Sequence, residues 1–534
     1  MQSVRMGILR FSIPDHAQYD SRFWESAYVS GAIEGIPRPS RNVLVDDVLS
    51  IDYDCEDTCR LSIAWPTKDY GPIVLTTASL KSTTVPYVLD LELARGTIHR
   101  IRSRAFDWEH MRGLRLPAAY KDLMEQALES FVQAVVEQGG GNGSSKFSQA
   151  AIDKSIEASR SLARAYTTQI LQVRTTQEEK LQTLFGVQFP TVPNWTHFAQ
   201  DLLPACNAVS IDLGIHRIPA GANRLPDDDP VFEQLEWAKQ NDLKVIGGPL
   251  VSLQEGKSPA FANSTTNFDQ LCRLIFTRVG NIVQQCQGRV RLWDASSSLN
   301  ISEQYELDDQ QAFRLASGII GTIRSIDKSP IVFCINLPAA EYMKNANHSI
   351  DPFRFARSLI QVHDRDIAGI GLDLNLHYWP HGTLPRDLIE ISDIIDHWQF
   401  LEKSLLIRLT APLSVEDDHL AEFNDSLVSN WRYPGSQVKA QLLDATQDTD
   451  PDLFGTHIEE HGGNQTTSRS KTLPPNGLEL IQMLLCKPSV HGIIWSQTDD
   501  STNHLFPNSG LYRAGTTRQP LVECLQRIRQ QYII

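Results

Sequence analysis

The hydrophobic pattern changes period twice along the chain. Residues 1–85 hold short apolar runs, Met6–Ile13, Val43–Ile51, Cys59–Trp65 and Ile73–Leu80, separated by Pro, Gly and Asp. Short runs between turn residues predict strands, here a small antiparallel β unit. From Tyr87 to Trp108 the period becomes helical, with Leu89, Leu91, Leu93, Ala94, Ile98 and Ile101 apolar. Ala118–Gln138 predicts a second helix. Gly139–Ser145 reads GGGNGSS, the composition of a flexible linker. Ser148–Thr183 predicts a third, long helix, mostly polar with an Ile/Leu/Ala stripe.

From Leu184 the pattern becomes a strand-then-helix rhythm. Expected strands are Leu184–Phe189, Ala208–Ile215, Leu243–Val251, Val290–Ala295, Ile331–Leu337, Ile367–Leu376, Leu405–Ala411 and Val490–Thr498. Each is followed by a helical stretch, from Trp195–Leu203 after the first to Gln519–Gln531 after the last. Ile331–Leu337 is apolar throughout except Asn336, as a strand buried on both faces requires. Ile367–Leu376 contains Gly-Ile-Gly and then alternates Leu372, Asp373, Leu374, Asn375. Eight such units fit an α/β fold, a (β/α)8 TIM barrel. A doubly wound sheet is the alternative, but FGVQFPTVPN after the first strand lacks a phosphate turn's glycines. The expected organisation is a small β-plus-helical region over 1–138, a linker and long helix over 139–183, and the barrel over 184–534. The longest connection, Pro412–Pro474, is polar and expected to be a lid or disordered.

Composition narrows the partners. The formal net charge of -15 disfavours nucleic acid and anionic membrane. The eight cysteines are scattered, and only Cys55 and Cys59 are close, so no zinc pattern forms. They read as buried thiols of a reducing compartment. No apolar signal segment opens MQSVRMGILRFSIPDH, so the expected location is cytoplasmic. Arg95, His99, Arg100, Arg102 and Arg104 decorate the first long helix; a solvated or salt-bridged face is expected, a basic ligand site being the alternative. No cofactor is expected. His377 with His381 and His457 with His461 have i,i+4 spacing without an HExxH helix, so no metal site is expected either.

Barrel chemistry sits at the C-terminal strand ends. Those ends carry Asp212 and His216; Gly248 and Ser252; Trp293, Asp294 and Ser298; Asn336, with Glu341 and Tyr342 beyond; Asp373, Asn375, His377, Tyr378 and Trp379; Arg408 and Thr410; Trp495, Gln497 and Asp499, then His504 and Phe506. Rings mixed with Asp, Asn, Gln and His suit a sugar, whose apolar face stacks and whose hydroxyls need paired donors and acceptors. The candidate ligand-binding set is Trp293, Asp294, Asp373, Asn375, His377, Trp495, Gln497 and Asp499. Capping rings of the core and loop-bracing aspartates remain the alternatives.

The order of motifs resembles glycoside hydrolase family 10, the xylanase-like barrels. LKVIGGPLVSL (Leu243–Leu253) resembles that family's third strand, V-x-G-H-x-L-V-W-H. LWDASSS (Leu292–Ser298) resembles its fourth, W-D-V-V-N-E, and LLIRLTA (Leu405–Ala411) its seventh, I-T-E-L-D. HGIIWSQTDD (His491–Asp500) resembles its eighth, G-x-x-x-W-G-x-x-D, and the closing LFPNSGLY…QPLVECL is similar to F-D-x-x-x-x-P-K-P-A-Y. The resemblance implies a barrel acting on a β-linked saccharide with two strand-end glutamates. Those glutamate positions hold Ser298 and Arg408, and the family's His and Trp around the third strand are Gly248 and Ser252. Neither serine nor arginine performs the glutamates' acid/base or nucleophilic role. The resemblance therefore implies a carbohydrate-binding barrel with impaired catalysis. Two alternatives stand beside it: a hydrolase using relocated carboxylates (Asp294, Asp373, Asp499, with Glu341 in reserve), and an interaction scaffold. In the N-terminal region Trp24, Trp65 and Tyr70 are candidate ligand rings or core.

Overall fold

The computed structural model describes residues 7–13, 16–31, 37–53, 58–68, 70–138, 143–190, 192, 195–252, 267–299, 307–336, 350–414, 416–433, 477–513 and 517–534. Glu341, Tyr342, His457, His461, Cys55 and the Asn336 side chain lie outside them, as does most of the long Pro412–Pro474 connection.

The N-terminal strands are β1 (Gly7–Ser12), β2 (Tyr28–Gly31), β3 (Pro37–Arg38), β4 (Ser40–Val45), β5 (Val48–Tyr53), β6 (Cys59–Thr67), β7 (Gly71–Thr76) and β8 (Tyr87–Val88), with a short helix α1 (Ser21–Ser26). They form two four-stranded sheets, β4-β5-β1-β8 and β3-β2-β6-β7. Alternation on β1 buries Leu9 and Phe11. The stretch expected as one strand, Val43–Ile51, is a hairpin. Asp46 takes a left-handed φ of 51° between Val45 and its partner Val48. A two-residue Asp-Asp loop tolerates that geometry, and the apolar run hides it. Trp24 and Trp65 are core rings, and Tyr70 lies under the Arg160 guanidinium.

Three helices follow: α2 (Leu89–Arg112), α3 (Ala118–Val136) and α4 (Gly143–Glu178). The end of the expected linker, Gly143–Ser145, is the first turn of α4, where Ser144 Oγ donates to Ala134 O at 2.9 Å. Trp108 of α2 stacks on Tyr166 of α4 at 4.0 Å.

The second region contains β9 (Leu184–Gln188), β10 (Ala208–Ile211), β11 (Lys244–Gly247), β12 (Val251–Ser252), β13 (Leu292–Asp294), β14 (Ser296–Ser297), β15 (Ile331–Asn336), β16 (Ile367–Asn375), β17 (Ser404–Thr410), β18 (Val490–Trp495), β19 (Tyr512–Arg513) and β20 (Thr517–Arg518). Its helices are α5 (Trp195–Leu202), α6 (Pro230–Gln240), α7 (Phe268–Cys286), α8 (Asp309–Ile326), α9 (Pro352–His363), α10 (Leu388–Trp398), α11 (Gly477–Leu485) and α12 (Leu521–Tyr532). Eight strands close into a parallel barrel in the order β9, β10, β11, β13, β15, β16, β17, β18. Closure is the β18–β9 pair, with Gly492 opposite Leu184 and Trp495 opposite Val187. The expected TIM barrel is thus present. Among the described residues no helix is long and apolar enough to cross a membrane.

The basic helix α2 docks on the barrel. Arg100 grips Asp387 with two N–H groups at 2.8 and 2.6 Å, and Ser159 Oγ donates to the same carboxylate at 2.9 Å. Arg104 pairs with Asp393, and Arg160 of α4 with Glu479 of α11 at 3.2 Å. The salt-bridged reading of these bases holds for Arg100 and Arg104; they hold the two regions together. Asp387 also caps α10 by accepting from Glu390 N at 2.8 Å. Burial opposes its charge, but Arg100 outweighs burial and leaves the carboxyl below its ordinary range.

Asp387→Ala strands the Arg100 cation and uncaps α10. We expect a loss on the order of 3 kcal/mol at neutral pH. A carboxylate with a depressed folded pKa contributes above its unfolded value, near 3.9, and loses that contribution as pH falls. The deficit should therefore shrink below about pH 4. Denaturant titrations at pH 7 and pH 3.5 check both statements.

Candidate functional site

The mouth of the barrel is built by alternation on neighbouring strands. Inside, Ile246, Leu292, Val332, Cys334, Leu406 and Ile494 form an apolar plug. Two residues beyond Leu292 is Asp294, and two beyond Leu406 is Arg408, so both lie on the interior face one layer higher. Asp373 is the register partner of Arg408 and shares its face. The layer above the plug is therefore charged. Gly371 makes room beneath it, since a Cβ there would meet the Cys334 sulfur at 2.1 Å.

Arg408 binds this layer together. Its Nη1 donates to Asp294 Oδ2 at 3.0 Å and its Nη2 to Gln188 Oε1 at 3.3 Å. Its Nε lies 3.6 Å from Asp373 Oδ1. Asp373 Oδ2 accepts from Ser297 Oγ at 2.6 Å. All three charged residues are buried, with Asp294 only 1% exposed. Two carboxylates share one guanidinium above the apolar plug. Burial pushes Asp294 up to about 7, against the pull of Arg408 and with the repulsion of Asp373. Burial also works against the Arg408 charge, but Asp373 and Asp294 outweigh it and hold the cation.

Above this layer opens a cavity of about 650 Å³ lined by Gln188, Asp212, Ser297, Asp373, Asn375, Arg408, Thr410, Gln497, Thr498 and Asp499, with Phe189, Phe506 and His504 among the walls. Five of the expected residues meet there: Asp373, Asn375, Arg408, Gln497 and Asp499. Asp294 lies below, held by Arg408. Asp499 also braces its own loop, accepting from Ser501 N at 3.0 Å and from the Ser501 hydroxyl. Asp212 lies 3.2 Å from His216 Nε2.

Four expected positions are elsewhere. Trp293 and Trp495 are core rings, 0% and 1% exposed, and Trp495 Nε1 donates to Ser509 O at 2.9 Å. They offer no stacking face, because the strand alternation that sends Asp294 inward sends Trp293 outward against the helices. Ser298 is buried, with a left-handed φ of 60°, and does not line the cavity. Ser297, one residue earlier, supplies the cavity hydroxyl, since β14 adds a short parallel pair with β12 before the chain turns. His377 is buried at φ 74°, its backbone joining the strand-end loop to Thr383 and Val428. Its neighbour His381 stacks on Phe423 at 3.9 Å. Gly248, at φ 132°, must remain glycine: a Cβ would lie 2.3 Å from Asp294 O.

Gln188 and Ser297 were not singled out by the sequence reading. Gln188 closes the apolar run of the first strand, so the strand-end rule applied to β9 finds it. Ser297 needs the tertiary turn to separate it from Ser298.

Fold and mouth together define a (β/α)8 barrel with a charged, polar cleft. No protein-family model and no curated protein sequence matches the chain. Among solved structures it is similar to native xylanase 10B from Thermotoga maritima, at 11% identity and a TM-score of 0.42, covering 65% of this chain and 95% of that one. The Thermotoga petrophila xylanase 10B in complex with xylobiose gives 10%, 0.42, 65% and 94% in the same order. A thermostable mutant of a Cellvibrio japonicus xylanase gives 15%, 0.41, 64% and 96%.

The Asp294 position makes a pH prediction. A carboxyl raised from 3.8 to about 7 on folding favours the folded state below its unfolded pKa and loses that contribution as pH rises through 7. Asp294→Asn is neutral at every pH. Relative to the wild type it should gain stability between pH 4 and 8, by up to roughly 4 kcal/mol. Melting curves across that range read the difference; a flat difference would show Asp294 ionised throughout.

Proposed function

We propose that the barrel binds a β-linked oligosaccharide at its mouth and does not hydrolyse it. The observation that carries this reading is Arg408 in one buried ion cluster with Asp294 and Asp373. Retaining hydrolysis needs one protonated and one free carboxyl about 5–5.5 Å apart. Here a guanidinium occupies the position where the xylanase-like pattern places the nucleophile, and it engages both nearby carboxylates. Asp499, the third candidate, is bonded to Ser501. The polar lining supports sugar binding: Asn375, Gln497, Thr410 and Asp373 offer donors and acceptors suited to hydroxyl pairs. Phe189 and Phe506 edge the cavity but are 2% and 6% exposed, so the reading rests on hydrogen bonding and not on ring stacking. On this reading residues 184–534 are the ligand-binding unit. Residues 1–138, with the connection and helix of 139–183, form a packing region that braces the barrel.

Calorimetric titration with xylo- and gluco-oligosaccharides, beside a reducing-sugar assay from pH 4 to 8, tests it. We expect saturable binding in the micromolar-to-millimolar range with no sugar release. Gln497→Ala should weaken binding about 5–10-fold, one hydrogen bond's worth. Turnover that Asp294→Asn or Asp373→Asn abolishes would establish a hydrolase with relocated carboxylates. Neither binding nor turnover across the panel would leave the barrel as a scaffold.

A further inference from the structure

Beside the cleft, two loops at the barrel mouth are joined by three polar side chains. Asp418 follows β17; Asp500 and His504 follow β18. Their nearest ligand atoms all lie within 4.8 Å of one another. His504 Nε2 is 3.1 Å from Asp418 Oδ2 and 3.6 Å from Asp500 Oδ1. The His504 side chain is 3% exposed and that of Asp500 6%.

The hydrogen bonds around the ring fix what faces the carboxylates. His504 Nδ1 lies 2.7 Å from Thr502 O, which can only accept, so Nδ1 carries the proton. In the neutral ring Nε2 is then a lone pair. It points at two carboxylate oxygens, which are also acceptors. Three acceptors converging on one point are held either by a proton on Nε2 or by a cation between them. The remaining carboxylate atoms are engaged by backbone amides: Asp418 Oδ1 accepts from Leu420 N at 3.3 Å, and Asp500 Oδ2 from Gly510 N at 2.9 Å; Asp418 Oδ2, which faces His504, also accepts from Asn508 N at 2.9 Å. Asp500 Oδ1, by contrast, is buried with no hydrogen-bond partner. A histidine whose second nitrogen donates to a backbone carbonyl, beside carboxylates held by backbone amides, is the outer arrangement of a metal ligand set. The two distances from His504, 3.1 and 3.6 Å, also match such a set. Bonds of about 2.0–2.2 Å in a tetrahedron put neighbouring ligand atoms about 3.3–3.5 Å apart.

We propose that Asp418, Asp500 and His504 form a divalent-metal site, of the nitrogen-and-carboxylate kind that zinc accepts. It clamps the loop after β17 to the loop after β18, which already meet where Glu422 N donates to His504 O at 2.9 Å and Phe423 N to Leu505 O at 3.0 Å. His504 also lines the cleft, so the clamp sets one wall of the proposed binding site. The fourth coordination position is left to water or a ligand group.

The test uses the full chain, stripped with a chelator and dialysed, then titrated with zinc chloride by calorimetry. Cobalt(II) in a parallel titration reports tetrahedral coordination by its visible absorption. We expect one zinc per chain, a melting temperature raised by a few degrees, and affinity at least tenfold weaker in both His504→Gln and Asp418→Asn. Asp418 is on an outer loop, so its variant remains informative if the His504 variant folds poorly. No stoichiometric zinc binding overturns the proposal and leaves His504 as an imidazolium between two carboxylates. Binding unchanged in both variants overturns it as well, the zinc then being held adventitiously elsewhere. Calcium or magnesium binding in place of zinc rejects the proposed ligand chemistry.

Discussion

A closed ring of eight parallel strands has no free edge, and its interior must be filled by side chains pointing inward from every strand. That constraint organises the molecule. The lower interior is an apolar plug, and the next layer is Asp294, Arg408 and Asp373. Nothing in a closed barrel lets those charges escape sideways, so they neutralise one another. The cleft above them is consequently floored by a buried ion cluster, in which Asp294 Oδ1, Asp373 Oδ1 and Arg408 Nε have no hydrogen-bond partner among the described residues. A carboxylate held this way is a poor nucleophile, and a guanidinium is none at all. What remains available at the mouth is a set of amides, hydroxyls and one half-engaged carboxylate, the groups on which the proposed binding rests.

The same economy of charge governs the contact between the two regions. Arginines of α2 and α4 meet Asp387, Asp393 and Glu479 on the barrel's outer helices. Asp387 serves three purposes with two oxygens: it caps α10, neutralises Arg100 and accepts from Ser159. Removing a partner from such a network costs more than the pair itself contributes, because the other charge stays buried. The aromatic candidates of the N-terminal sheets are spent in packing. Phe23 meets Trp431 of the barrel loop edge-on at 5.1 Å.

Much of this was legible in the order of residues. Strand β16 needed only its Gly-Ile-Gly and its alternation. Helices α9 and α11 begin and end where the apolar period and the Asp, Gly and Pro signals put them. The eightfold rhythm predicted a barrel because βα repetition with buried strands leaves few other ways to bury both sheet faces. Strand-end reasoning reached Asp373, Asn375, Arg408, Gln497 and Asp499, since alternation is a local property. The family resemblance placed Ser298 and Arg408 together at the mouth; Arg408 lines the cleft, whereas Ser298 is buried away from it.

Tertiary structure decided the rest, for reasons that act across the chain. Whether a ring stacks on a ligand or fills the core depends on which neighbour covers it, so Trp293 and Trp495 could not be assigned from their positions alone. A single left-handed residue exchanges Ser297 for Ser298 at the cleft, and a hairpin of two aspartates splits an apolar run; both are dihedral choices that composition does not announce. The partnership of Arg408 with Asp294, 114 residues away, exists only once the barrel closes. So does the meeting of Asp418 with Asp500 and His504: the last two are four residues apart in one loop, but Asp418 comes from another loop, 82 residues before Asp500. The local periods determined the elements and their faces; the closed ladder determined which faces meet, and therefore which charges are free to do chemistry.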